Sequence, residues 1–191
     1  MTRTRAAAVS VAGAAVIAAL PLAIDPGTAD SQSTASPRAA GLTPADLEGI
    51  PAPDRALTLA SERWQRLTRR PIASLRSLGG AHPGAKSIRV SRTRAQLTGR
   101  NGRQRFPYPR RTVVVKTGTV GGTVTLVAIM RRVATGGDPS AWRYVEYTRG
   151  GGGGAFTRVG GGQSLCSGCH VSATDTQRSD YVFSRLGPPT G

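Results

Sequence analysis

Residues 112–147 read TVVVKTGTVGGTVTLVAIMRRVATGGDPSAWRYVEY, and this stretch settles the fold class. Thr112-Val113-Val114-Val115-Lys116 is short and rich in β-branched residues, and Thr123 to Ala134 is a longer run of the same kind, so both predict strands. Gly121-Gly122 and Gly136-Gly137-Asp138-Pro139 are turn sequences that separate them from each other and from the segment after them. Trp142 to Tyr147 then alternates, with Trp142, Tyr144 and Glu146 on one face and Val145 and Tyr147 on the other. Strands joined in succession by glycine-rich turns predict an antiparallel meander. On the first strand, Val113 and Val115 share one face, while Thr112, Val114 and Lys116 share the other.

Working outward, the fold class is mainly β (α+β), with helices before the sheet. Thr43-Pro44-Ala45-Asp46 opens a helical stretch, with Thr43 as cap and Pro44 in the first turn. A second helix is predicted from Asp54 to about Arg69, because Leu57, Ala60, Trp64 and Leu67 recur at spacings of three and four, with Trp64 as a core anchor. His82 falls in a loop at 79–84, and Ser87 to Val90 reads as a short strand. Downstream, Gly150 to Gly154 and Gly160 to Gly162 flank Ala155 to Val159. That spacing lacks the Lys and Ser/Thr of a phosphate loop, so it reads as a mobile loop.

The chain of 191 residues holds 25 Gly and 13 Pro, about a fifth of the total, which points away from a helical bundle and towards strands, turns and loops. It carries 26 basic residues against 10 acidic, net +16, and all but Lys86 and Lys116 of the basic ones are Arg. A nucleic-acid binder mixes both types and clusters them on one face. Here Arg is scattered, so a compositional bias is the simpler reading, and nucleic acid is not the expected partner.

Arg3 and Arg5 precede an almost uncharged run from Ala6 to Ile24, and small residues follow to Ala29. A positive start, an apolar centre and a small-residue end predict a secretory signal over 1–29. Residues 30–41 are Ser/Ala/Pro-rich and predict a disordered linker, leaving one domain over 42–191. The mature chain keeps +15 after losing two Arg and one Asp, and works in the periplasm or another extracytoplasmic space. Such a surface favours acidic redox partners.

The two cysteines lie in Cys166-Ser167-Gly168-Cys169-His170. In C-x-x-C-H, two thiols add to the vinyl groups of haem and the adjacent His reaches the iron. A thioredoxin-like pair needs a βαβ setting, and a zinc site needs two further ligands, with neighbouring Cys169 and His170 ill placed to share one ion. A disulfide is awkward at this spacing. The expected cofactor is therefore covalent haem c on Cys166 and Cys169, with His170 as the metal ligand, carried on a short C-terminal helix or loop. No Met follows the motif, Met130 lies in a strand pattern, and His82 is a lone loop residue. The iron is expected to be five-coordinate with an open face for a small gaseous or nitrogenous ligand.

Phe106-Pro107-Tyr108-Pro109, the Thr112–Lys116 strand, Trp142 to Tyr147, CSGCH and Ser179-Asp180-Tyr181-Val182-Phe183 occur in an order that resembles the cytochrome P-460 family, which includes the β-sheet cytochromes c′. The resemblance runs from about Trp64 to the end. It implies a small, mostly β homodimer with a His-ligated c-type haem that handles nitric oxide or hydroxylamine. In the hydroxylamine-oxidising members a strand lysine is cross-linked to the porphyrin; Lys116 matches that position and is the candidate catalytic residue. Those members also use a distal carboxylate. Here no Asp or Glu lies between Glu146 and Cys166, Arg110-Arg111 replaces an Asp-Gly-like turn, and Thr117 follows the lysine where an acid is common.

Overall fold

The computed structural model describes residues 41–67, 82, 84–160, 162–177, 180, 182 and 186, and for 172–177 the backbone only. The expected leader at 1–29, the linker up to residue 40, and Tyr181 and Phe183 lie outside them. Six strands build one antiparallel sheet in strict chain order: β1 (Gln65–Arg66), β2 (Ala85–Val90), β3 (Val113–Val120), β4 (Thr123–Arg132), β5 (Trp142–Thr148) and β6 (Thr157–Arg158). This is the meander that the glycine-rich turns predict. Gly121 and Gly122 make the tightest of them with φ of 55° and 80°, the left-handed pair that matches the twist of two joined strands. β3 runs four residues past Lys116 because Thr117 to Val120 keep pairing with β4.

Period-two alternation buries both faces. On one lie Ile88, Val90, Val114, Met130, Trp142 and Tyr144; on the other lie Val115, Val127, Ile129 and Tyr147. The second face receives a 3-10 helix (Ala45–Leu47), with Leu47 fully buried, and borders α1 (Ala52–Ser61). Asp54 in the first turn of α1 ties helix to sheet: it pairs with Arg131 and accepts the Tyr147 hydroxyl at 2.5 Å. Burial, with Asp54 beside it, pushes the Tyr147 phenol up to about 12.

The helix expected to reach Arg69 stops at Ser61, and of that expected span 68 and 69 lie outside the described residues. Sheet pairing overrides the helical spacing: Gln65 and Arg66 pair with Val90 and Arg89, and Leu67 N–H donates to Ile88 O at 3.0 Å. Leu67 is consequently buried on the first face, while Trp64 is half-buried against the second. The fully buried tryptophan is Trp142.

The glycine-rich segment after β5 turns back so that Thr157 and Arg158 pair with Thr148 and Tyr147. It leads into α3 (Gly162–Gln177), which contains the CSGCH motif, so that motif is helical. Gln163 pins this helix to β5 by accepting Tyr144 N–H at 3.1 Å and donating to Trp142 O at 2.6 Å. Among the described residues no helix is long and apolar enough to cross a membrane.

Candidate functional site

Strand register sets the floor of the site. Ile88, Lys116, Ala128 and Glu146 are successive partners across β2, β3, β4 and β5, and Val90, Val114, Met130 and Tyr144 form the next row. With strands about 4.8 Å apart, Lys116 and Glu146 stand about 10 Å apart across the sheet. The residue between them is Ala128, too short to fill the gap. His82 closes it: Nε2 meets Glu146 Oε2 at 2.9 Å, and Nδ1 meets the Lys116 amine.

The opposite wall is α3. Cys166, Cys169 and His170 stand at i, i+3 and i+4, so a single helical face presents both thiols and the imidazole. His170 is buried, with its ring 5.1 Å from that of Tyr144. Between helix and sheet lies a cavity of about 230 Å³, lined mainly by apolar groups including Ile88, Val114, Met130, Val159 and Val182.

All four residues singled out from the sequence, Lys116, Cys166, Cys169 and His170, line this one cavity. Met130 joins them from the strand where packing alone was expected. His82 and Glu146 are the two that sequence reasoning passed over. The acid-free interval between Glu146 and Cys166 implied a site without a carboxylate, but Glu146 itself supplies one. Its place on the Trp142–Tyr144 face was the available signal. His82 gives no periodic signal, because its neighbours in the sequence repeat neither a helical nor a strand spacing.

Burial pushes the Lys116 ammonium down to about 8, with Lys86 adding to the effect and the attraction of Glu146 opposing it. Burial and then Glu146 push the Cys166 thiol up, while Lys116 pulls it down. The cavity thus keeps a thiol protonated beside an amine that is half neutral near pH 8.

No family model matches the chain, and no curated protein matches it.

One consequence concerns the amine. In a chain carrying Cys166→Ala and Cys169→Ala, acylation of Lys116 by acetic anhydride is expected to rise through a midpoint near pH 8. Between 8 and the ordinary 10.5 the native amine is neutral while the unfolded one holds a proton, so stability climbs with pH there. Adding Lys116→Met is expected to flatten that slope. Peptide mass spectrometry reads the first effect and pH-dependent melting the second; a midpoint at the ordinary lysine value contradicts both.

Proposed function

We propose that this chain is an exported c-type haem protein of the cytochrome P-460 kind that binds or redox-converts a small nitrogen species such as nitric oxide or hydroxylamine. The observation that carries the reading is the single helical face of Cys166, Cys169 and His170, turned into an apolar cavity of about 230 Å³. These residues fit a porphyrin: two thiols at thioether spacing, an imidazole beside them, and apolar walls for a flat apolar ring. Cys166 and Cys169 would hold the group and His170 would ligate its iron. When bound, the group would supply a redox-active iron able to take a small ligand.

The chain's own residues do the rest. Val114, Met130 and Val182 make the cavity walls apolar, a surface that suits a flat apolar ring. Tyr144 stacks obliquely on His170 and limits its rotation. Lys116, His82 and Glu146 hold protons in a hydrogen-bonded line at the polar end of the cavity, with His82 22% and Glu146 13% exposed at the rim. Protons of a bound ligand therefore have a route outward.

The presence of Lys116 in the cavity favours a second reading, an oxidoreductase whose lysine is joined to the haem. Tryptic mapping separates the two. A haem peptide that joins the Lys116 strand to CSGCH supports the enzyme, and a free Lys116 peptide from fully loaded protein supports a plain ligand-binding haem.

The test of haem itself is expression with a c-type maturation system, followed by mass spectrometry under denaturing conditions. The expected mass includes one haem; a bare polypeptide mass overturns the proposal. His170→Ala is expected to keep the haem attached through sulfur while its spin-state spectrum and ligand affinity change. An unchanged spectrum would assign the iron to another residue.

A further inference from the structure

The connection between β2 and β3 runs from Ser91 to Thr112, 22 residues, against about 4–6 for an ordinary loop. Its own bonds order it. Thr93 and Gln96 form a capping box on α2 (Arg94–Leu97), Arg105 N–H donates to Leu97 O at 2.8 Å, and Gly99 N–H donates to Arg103 O at 2.9 Å. Leu97 and Tyr108 are buried beneath it, and Asp180 accepts Tyr108 N–H at 2.7 Å.

This loop carries Arg100, Arg103, Arg105, Arg110 and Arg111, all exposed. Arginine is spread along the whole chain, which hides the patch; what makes it is the distribution of acids. From Arg63 to Gly137 there are 17 basic residues and no Asp or Glu. Carboxylates reaching in from elsewhere are already engaged: Asp54 by Arg131, Glu62 by Arg89, Glu146 by His82 and Asp180 by Arg132. Among the described residues, none of the five loop arginines has an ion-pair partner.

We propose that this loop is a docking surface for an acidic protein. Guanidinium groups match carboxylates in a two-pronged geometry, and an ordered loop loses little freedom when it binds. The loop offers no aromatic platform for unpaired bases, since Tyr108 is buried and Phe106 packs inward. Phe106 packs on the same hydrophobic cluster as Cys166 and Val171, so the loop and the CSGCH helix share one core. The partner's role as electron donor or acceptor rests on the haem reading above; the docking does not.

The test uses poly-L-glutamate as probe and the purified full chain, titrated calorimetrically at low salt. Arg100→Gln/Arg103→Gln/Arg105→Gln is compared with Arg63→Gln/Arg143→Gln/Arg158→Gln, which removes equal charge from exposed sites elsewhere. The loop triple is expected to weaken binding at least about tenfold and the control triple no more than about twofold. A second loop triple at Arg100, Arg110 and Arg111 is expected to repeat the loss. Equal losses in loop and control variants overturn the proposal. So does tighter binding, through the same arginines, of a single-stranded oligonucleotide or of anionic vesicles. Haem content is measured by mass on the same samples, so failure to dock and failure to carry haem are read separately.

Discussion

Replacing Cys166 and Cys169 together with Ala is expected to abolish all haem that survives denaturation. On the proposed haem reading each thiol would hold the porphyrin by its own carbon–sulfur bond, so single variants would keep one thioether and the double variant none. Both side chains line the cavity from one helical face, Cys169 exposed and Cys166 half-buried at the edge of the first core cluster, so the fold is expected to survive the change. The measurement is acid-acetone extraction of each variant after expression with a maturation system. Residual covalent haem in the double variant would place the attachment elsewhere, with the Lys116 amine the first residue to examine.

Asp180→Ala is expected to cost about 3–5 kcal/mol of stability, the ordinary penalty for leaving a buried charge without its partner. Arg132 is fully buried and meets the Asp180 carboxylate at 2.6 and 2.8 Å, with the Trp142 ring 5.4 Å from its guanidinium carbon. Burial pushes the Asp180 carboxyl up, while Tyr108 N–H and Arg132 pull it down. The pair joins the end of β4 to the region around Val182, which lines the cavity, so its loss is felt at the site as well. A drop in melting temperature of roughly 6–20 °C is expected for a chain of this size. A melting curve within about 1 °C of the parent would show that Arg132 finds another partner.

Local patterns carried the sheet. The runs at 113–116 and 123–132, the Gly121-Gly122 turn and the alternation at 142–147 depend only on side-chain shape and backbone freedom, and neighbouring residues supply both. The same alternation assigns Val114 and Lys116 to one face and Val115 to the other. The i, i+3, i+4 grouping of Cys166, Cys169 and His170 comes from helix geometry once their segment is known to be helical.

Other features depend on partners far away in the chain. Leu57, Ala60, Trp64 and Leu67 have helical spacing, yet the last of them bonds to Ile88 because strand pairing outweighs a short helix extension. Asp180 reads as part of a motif, and only its meeting with Arg132 and Tyr108 reveals a buried clamp.

The antiparallel meander, the two faces of its strands and the thiol–imidazole motif were legible in the amino acids alone, because turns, alternation and helical spacing act within a few residues. It took the folded arrangement to show that Ala128 leaves room between Lys116 and Glu146, and that His82 bridges them. Register and long loop closure bring those groups together from 34 to 64 residues apart, a distance over which no local preference acts.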